Sequence, residues 1–334
     1  MFRRYLAALT TLALITVSLV SVTVPVSAQA LTLTNANQTA RLGLIERMGS
    51  PTFVPRTPPV TLPRPSLGGS VVCQIAEINP LDYYGRQVLA SSDNADLVKA
   101  YDALAEAVAA YEQAFNFSDY RVTVTEAARV YYYFKNDHPE AFWLTNELTY
   151  YSFGYSVVTG MPSITLVFTF NTPKEEIPAL QQQLEARTEE LMDGITGDMP
   201  LLEREAIIRD RLCASAEYDH SYAAPHNHDL LGVMLYGTGV CESYTRAFQY
   251  LMYRCGIQCI NVHGDTTSGF HVWNMVNIDG EWLMTDLTAA DDGGLDAIAM
   301  HYYNFTYAEW KTMSWYTSIA VKDPYYYPLP IALY

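Results

Sequence analysis

The sequence predicts an α+β fold: a helix beginning near Cys241 leads into an antiparallel sheet, and a smaller α+β region precedes both. Three observations predict it. Leu97, Tyr101, Leu104, Val108, Tyr111 and Phe115 recur at three- and four-residue steps, the period of one helix face. Three stretches rich in β-branched and aromatic residues, 258–262, 270–278 and 281–287, follow the helix of Cys241. Between the last two stands Asp279-Gly280, the dipeptide of a two-residue hairpin turn.

Residues 1–30 read as an export signal, with Arg3 and Arg4 ahead of an apolar run and small residues up to Ala28 and Ala30, after either of which cleavage is expected. An uncleaved anchor is the competing reading, against which the apolar core is shorter than the ~20 residues a span needs. Residues 31–80 carry Pro51, Pro55, Pro58, Pro59, Pro63 and Pro65 and read as an extended leader. Residues 81–197 form the N-terminal α+β region. It holds the helix that runs to Phe115, a second helix over 125–134, a hairpin of 150–158 with 163–170 around Gly160-Met161-Pro162, and a helix through Leu180, Leu184 and Leu191. Residues 198–334 form the main domain. There Pro200 opens a helix to about Ala214, and a glycine-punctuated loop (Gly232, Gly237, Gly239) leads to Cys241.

Half of the 334 residues are hydrophobic, which excludes disorder throughout. The formal charge is −16, and losing Arg3 and Arg4 with the signal makes it two units more negative. Long-range repulsion then argues against nucleic acid and anionic lipid as partners, and no stable membrane insertion is expected after cleavage. Five cysteines leave at least one thiol unpaired within the chain. Cys73, Cys213, Cys255 and Cys259 could make up to two bridges, with Cys241 kept free; the other reading is that all five are reduced.

Cys241 follows Gly237-Thr238-Gly239-Val240 and opens a run in which Tyr244, Phe248, Leu251 and Met252 share one side. A cysteine at a helix start meets unsatisfied N–H groups and the positive end of the helix dipole, which favour a thiolate and can hold an oxyanion. If Asp279-Gly280 is the hairpin turn, Ile278 pairs with Glu281, and the register places His271 and Asp286 on one face as diagonal neighbours about 7–8 Å apart. A slip of one residue would separate them. Nucleophile, base and orienting acid are the three parts of thiol catalysis.

The strings Gly239-Val240-Cys241-Glu242-Ser243-Tyr244, His271-Val272-Trp273-Asn274 and Asp286-Leu287-Thr288 resemble the three blocks of the transglutaminase-like superfamily. Asp210-Arg211-Leu212, Tyr218-Asp219 and the stretch from Asp137 to Leu144 resemble segments of its secreted bacterial members, so the likeness spans roughly residues 125–310. The resemblance implies a papain-like core, with Cys241 as nucleophile, His271 as general base and Asp286 as its orienting partner. It implies acyl transfer through a thioester on peptide or protein amides, cell-wall peptide among them, by a protease, deamidase or transglutaminase, with no cofactor and no metal. The alternative is a catalytically idle binding module of the same fold at the cell surface. Ser243 stands where many bacterial relatives have glycine, which bears on substrate access beside the nucleophile.

Other motifs are read blandly. His226-Asn227-His228-Asp229 lacks further metal ligands and reads as a polar loop. Cys255 and Cys259 lack the second pair of a zinc site. Asp291, Asp292 and Asp296 around Gly293-Gly294 do not fit a calcium-loop spacing and read as a solvated turn. The 26 tyrosines, Tyr131-Tyr132-Tyr133 and Tyr325-Tyr326-Tyr327 among them, read as edges of the core.

Overall fold

The computed structural model describes residues 75–292, 302–321 and 323–331. The expected signal, nearly all of the proline-rich leader, and Cys73 lie outside the described residues. No helix among the described residues is long and apolar enough to cross a membrane.

The N-terminal region opens with α1 (Tyr84–Ala90) and α2 (Asp96–Ala109). The apolar period continues to Phe115, but the helix does not. Tyr111 takes a left-handed φ of 56°, and Glu112 and Tyr111 donate to the oxygens of Ala107 and Val108 at 2.9 Å each. This double bond caps the helix. Phe115 therefore belongs to β1 (Ala114–Asn116), not to the helix face. Next, α3 (Val124–Asp137) starts on a capping box of Thr123 and Glu126. Its last residue, Asp137, is fully buried and accepts from Gly85 N and Arg86 N at 2.9 Å and from Tyr101 Oη at 2.8 Å. It thereby ties α3 to the start of α1 and to α2. The expected hairpin is present as β2 (Leu144–Tyr155) and β3 (Pro162–Phe170), with β3 central between β1 and β2.

After α4 (Ile177–Met192) and α5 (Leu201–Ser215), the short strand β4 (Glu217–Tyr218) precedes α6 (Leu230–Leu235). This last helix replaces the loop expected from Gly232. Asp229 Oδ1 accepts from Leu231 N at 2.9 Å and caps it. A Cβ on Gly232 would meet His226 O at 2.5 Å, so the glycine serves close packing here and does not mark a turn. Then β5 (Thr238–Gly239) leads into α7 (Cys241–Arg254).

α7 is buried along most of its length. Ala247, Phe248, Leu251 and Met252 are fully buried, worth ~1.5–3 kcal/mol for each large side chain. It packs on a four-stranded antiparallel sheet of β6 (Cys259–Thr266), β7 (Gly269–Ile278), β8 (Glu281–Thr285) and β9 (Tyr316–Ile319), in the order β8-β7-β6-β9. Asn274 Nδ2 donates to Thr245 O at 3.1 Å, and Thr245 Oγ1 to Val272 O at 3.1 Å, locking helix to strand. The helix on an antiparallel sheet is the expected α+β, papain-like arrangement. Two short helices, α8 (Leu287–Asp292) and α9 (Tyr307–Trp310), complete the described elements.

The Asp279-Gly280 turn forms with φ of 54° and 93°, the two positive values that a tight hairpin of matching twist requires. Ile278 pairs with Glu281 and Asn274 with Thr285, the register expected from the sequence. One hydrophobic core, from Leu89 to Tyr327, runs across the 197/198 boundary.

Candidate active site

Cys241 is held at the mouth of α7 by the chain before it. Thr238 and Gly239 pair with Glu217 and Tyr218, and Asp219 N donates to Gly239 O at 2.9 Å. Val240, extended at ψ 179°, donates to Asn227 O at 3.0 Å and takes the cap position, so Cys241 is the first helical residue. The first intrahelical bonds run from Ser243 N and Tyr244 N to Val240 O. The N–H groups of Cys241 and Glu242 precede them and have no acceptor within the helix.

His271 sits on β7 and is 7 % exposed. Its Nε2 lies 2.8 Å from Asp286 Oδ2, and the imidazole also hydrogen-bonds the Cys241 side chain. With Nε2 taken by the acid, Nδ1 is the nitrogen left for sulfur. The ring packs against Trp315 at 4.9 Å and over Trp273 at 6.0 Å. Burial works to lower the imidazole pKa, but the adjoining Asp286 carboxylate, its hydrogen bond and Cys241 outweigh burial and raise it well above the usual range.

Asp286 is fully buried and its side chain is held from three directions. Oδ2 accepts from Tyr316 Oη at 2.8 Å as well as facing the imidazole, and Oδ1 accepts from Ala289 N at 3.1 Å at the start of α8. Its backbone N–H donates to Tyr302 O at 2.8 Å. The structure thus brings the three residues singled out from the sequence into one chain of side-chain contacts. Tyr316, 30 residues beyond the acid, carries no signal in the sequence that could have placed it there.

The Ser243 side chain points away from the cleft. It is fully buried, accepts from Val233 N at 3.0 Å and donates to Asp229 O at 2.6 Å. The expected effect on substrate access is therefore corrected: Ser243 fastens α6 to α7. The stretch 226–229 is ordered by similar bonds. His226 Nδ1 lies 2.8 Å from Asp229 Oδ2, which raises its pKa, and His228 Nδ1 lies 3.5 Å from Glu242 Oε2. Among the described residues no group of three or more His, Cys, Asp or Glu side chains could hold a metal ion.

Two further expectations change. Cys255 and Cys259 are buried free thiols in the packed end of α7 and on β6, so two bridges among the four remaining cysteines do not form. Burial pushes the Cys255 thiol up to about 12. Asp291 is buried in α8, where its Oδ2 accepts from Tyr244 Oη at 2.6 Å, and is not part of a solvated turn. Gly293, Gly294 and Asp296 lie outside the described residues. Tyr131, Tyr133 and Tyr327 are buried, as core residues are.

Residues 187–287 match the model of the Transglutaminase-like superfamily. No curated protein matches the chain significantly. Among solved structures, a TGase is 16 % identical over 46 % of this chain and 47 % of its own, with a TM-score of 0.29. A candidate cysteine protease from Cytophaga hutchinsonii is 16 % identical over 43 % of this chain and 63 % of its own, at 0.28. A candidate protease from Parabacteroides distasonis is 12 % identical over 42 % and 30 %, at 0.24. The chain thus spans less than two thirds of the length of each. The family match runs from α4 through Asp286 and takes in both the helix of Cys241 and the hairpin of His271, so that through this segment the chain is similar to the transglutaminase-like superfamily.

Proposed function

We propose that Cys241, His271 and Asp286 are the catalytic triad of an exported cysteine enzyme that transfers acyl groups from peptide or protein amides. One observation carries this reading: the His271 ring spans from a buried carboxylate at 2.8 Å to the thiol at the start of α7. With its pKa raised, the ring holds the proton of Cys241 as imidazolium and leaves a thiolate. The thiolate attacks the amide carbonyl, and the N–H of Cys241 faces the oxyanion that forms. As the tetrahedral intermediate collapses to a thioester, His271 gives its proton to the departing amine. Water or a second amine then attacks the thioester, His271 takes the incoming proton, and the thiolate is released. The signal read at residues 1–30 supports export, and cell-wall peptide is one substrate that such a location would offer.

A peptide library incubated with and without a primary amine, read by mass spectrometry, tests this. Cleavage, deamidation or amine addition is expected, each absent in Cys241→Ala. A product pattern identical in Cys241→Ala, or no product from any peptide, would sink the proposal.

A further inference from the structure

Strand β9 reaches the acid through a local irregularity. Ile319 pairs with Gly264 and Ser318 with Asp265, but the next pair is Tyr316 with Thr266, so Thr317 is an extra residue on β9. Side chains alternate along a strand, and without that residue Tyr316 would share the face of Ser318, whose Oγ donates to Asp265 Oδ2 at 2.8 Å. The extra residue turns Tyr316 to the other face. That is the face of His271 and Trp273, because β6 pairs Gly264 with His271 and Val262 with Trp273. Room for the approach comes from Gly264: a Cβ there would collide with Ser318 O and would meet Trp273 Cη2 at 2.7 Å. The Tyr316 ring packs with its centroid 5.0 Å from that of Trp273 and 5.9 Å from that of Trp310, and the residue is buried.

The hydroxyl ends on the oxygen that faces the imidazole. Tyr316 Oη and His271 Nε2 both lie 2.8 Å from Asp286 Oδ2, whereas Oδ1 takes the N–H of Ala289. Two donors on one oxygen share its charge: each bond steadies the ionised acid and leaves it a weaker base toward the other. Burial and the facing carboxylate hold the Tyr316 phenol well above its ordinary range, so it stays a donor across neutral pH. The other titratable groups facing the pair are Cys241 from α7 and Tyr302, whose ring centroid lies 6.4 Å from that of Tyr316. An imidazole with the whole carboxylate oxygen to itself would hold its proton more tightly and release it less readily to a departing amine.

We propose that Tyr316 is a positioning residue of the reaction: by sharing Asp286 Oδ2 with His271 it limits the charge that the acid lends the imidazole, so the ring takes the thiol proton and still gives it up. This rests on the reading of Cys241, His271 and Asp286 as the catalytic triad. The test is an NMR titration of His271 in the full chain, in a Cys241→Ala background that removes coupling to the thiol. The His271 signal is identified by its loss in His271→Gln. Tyr316→Phe keeps the ring and removes the donor, and should raise the proton affinity of His271 about 3- to 30-fold. Should Tyr316→Phe fail to fold, a ring-fluorinated tyrosine at position 316 takes its place; this stronger donor keeps the shape and should lower the same affinity. An unchanged value in either folded protein, or a change of the opposite sign, overturns the role of Tyr316. Iodoacetamide tests the underlying reading separately. If wild-type Cys241 reacts with it no faster than a thiol of the unfolded chain, the triad falls, and Tyr316 has no reaction to serve whatever the titration gives.

Discussion

The chemistry of the site is set by how many groups converge on one carboxylate. Asp286 takes a hydrogen bond at each oxygen from Ala289 N and Tyr316 Oη, and these fix its direction before the imidazole is considered. His271 is thereby aligned through Nε2, and its other nitrogen is turned to sulfur. Asp286→Asn removes the charge while keeping the shape. The imidazole should then return toward its ordinary range, and the thiolate fraction should fall. Iodoacetamide alkylation of wild-type Cys241 is expected to stay fast and nearly flat from about pH 6 to 8, because His271 remains protonated above its usual range. In Asp286→Asn or His271→Ala the rate near neutrality should drop by about 10- to 30-fold, toward that of an ordinary thiol, of which only a few per cent is thiolate at pH 7. A wild-type profile that climbs only through the ordinary thiol range would show that the contact does not activate the sulfur.

At the scale of elements, the joint between α6 and α7 positions the nucleophile helix. Ser243 closes it with two buried hydrogen bonds, and the glycines on either side leave it room: a Cβ on Gly239 would meet Ser243 Cβ at 2.5 Å. Ser243→Ala strands Val233 N–H and should cost ~1–3 kcal/mol, read as a lower midpoint in urea. Midpoints equal within error would mean that the joint does not depend on this side chain. The β7–β8 hairpin was legible in the sequence because Asp279-Gly280 fixes a turn by local chemistry, and a known turn fixes every pair beyond it. The helix start at Cys241 was legible for a similar reason, a glycine-rich approach followed by an amphipathic run. What escaped depends on backbone geometry and packing that the pattern of residue types does not encode. Gly232 reads as a breaker until His226 O is seen against it, and Tyr111 continues the apolar period of α2 while its backbone ends that helix. β9 follows a short aromatic segment, and only its pairing with β6 reveals that it delivers Tyr316 to the acid.

Across the whole molecule, several ionisable groups are buried in the framework that surrounds the site and link stability to pH. Glu205 on α5 is fully buried and accepts from Asn304 Nδ2 at 2.9 Å, beside Thr285 at the end of β8. It thus braces the segment that carries Tyr302, the backbone partner of Asp286. Burial raises the Glu205 pKa from 4.5 to about 7, and burial raises that of Asp137 from 3.8 to about 6. A carboxyl whose folded pKa lies above its unfolded value binds more proton in the folded state, so stability falls as pH rises through that interval. Both groups therefore weaken the fold between about pH 4 and 7, and the penalty is fully present above the folded pKa. Lys135 acts in a different window: burial lowers its pKa from 10.5 to about 7, so its contribution becomes less unfavourable as pH rises across that range. Glu205→Gln keeps the shape and removes the charge. It should raise stability by ~1–3 kcal/mol at pH 8 and leave it nearly unchanged at pH 4.5, where the wild-type carboxyl is already protonated in the fold. Thermal melts of both proteins at the two pH values decide the matter: a gain of the same size at both would mean that the substitution acts through packing and not through the buried charge.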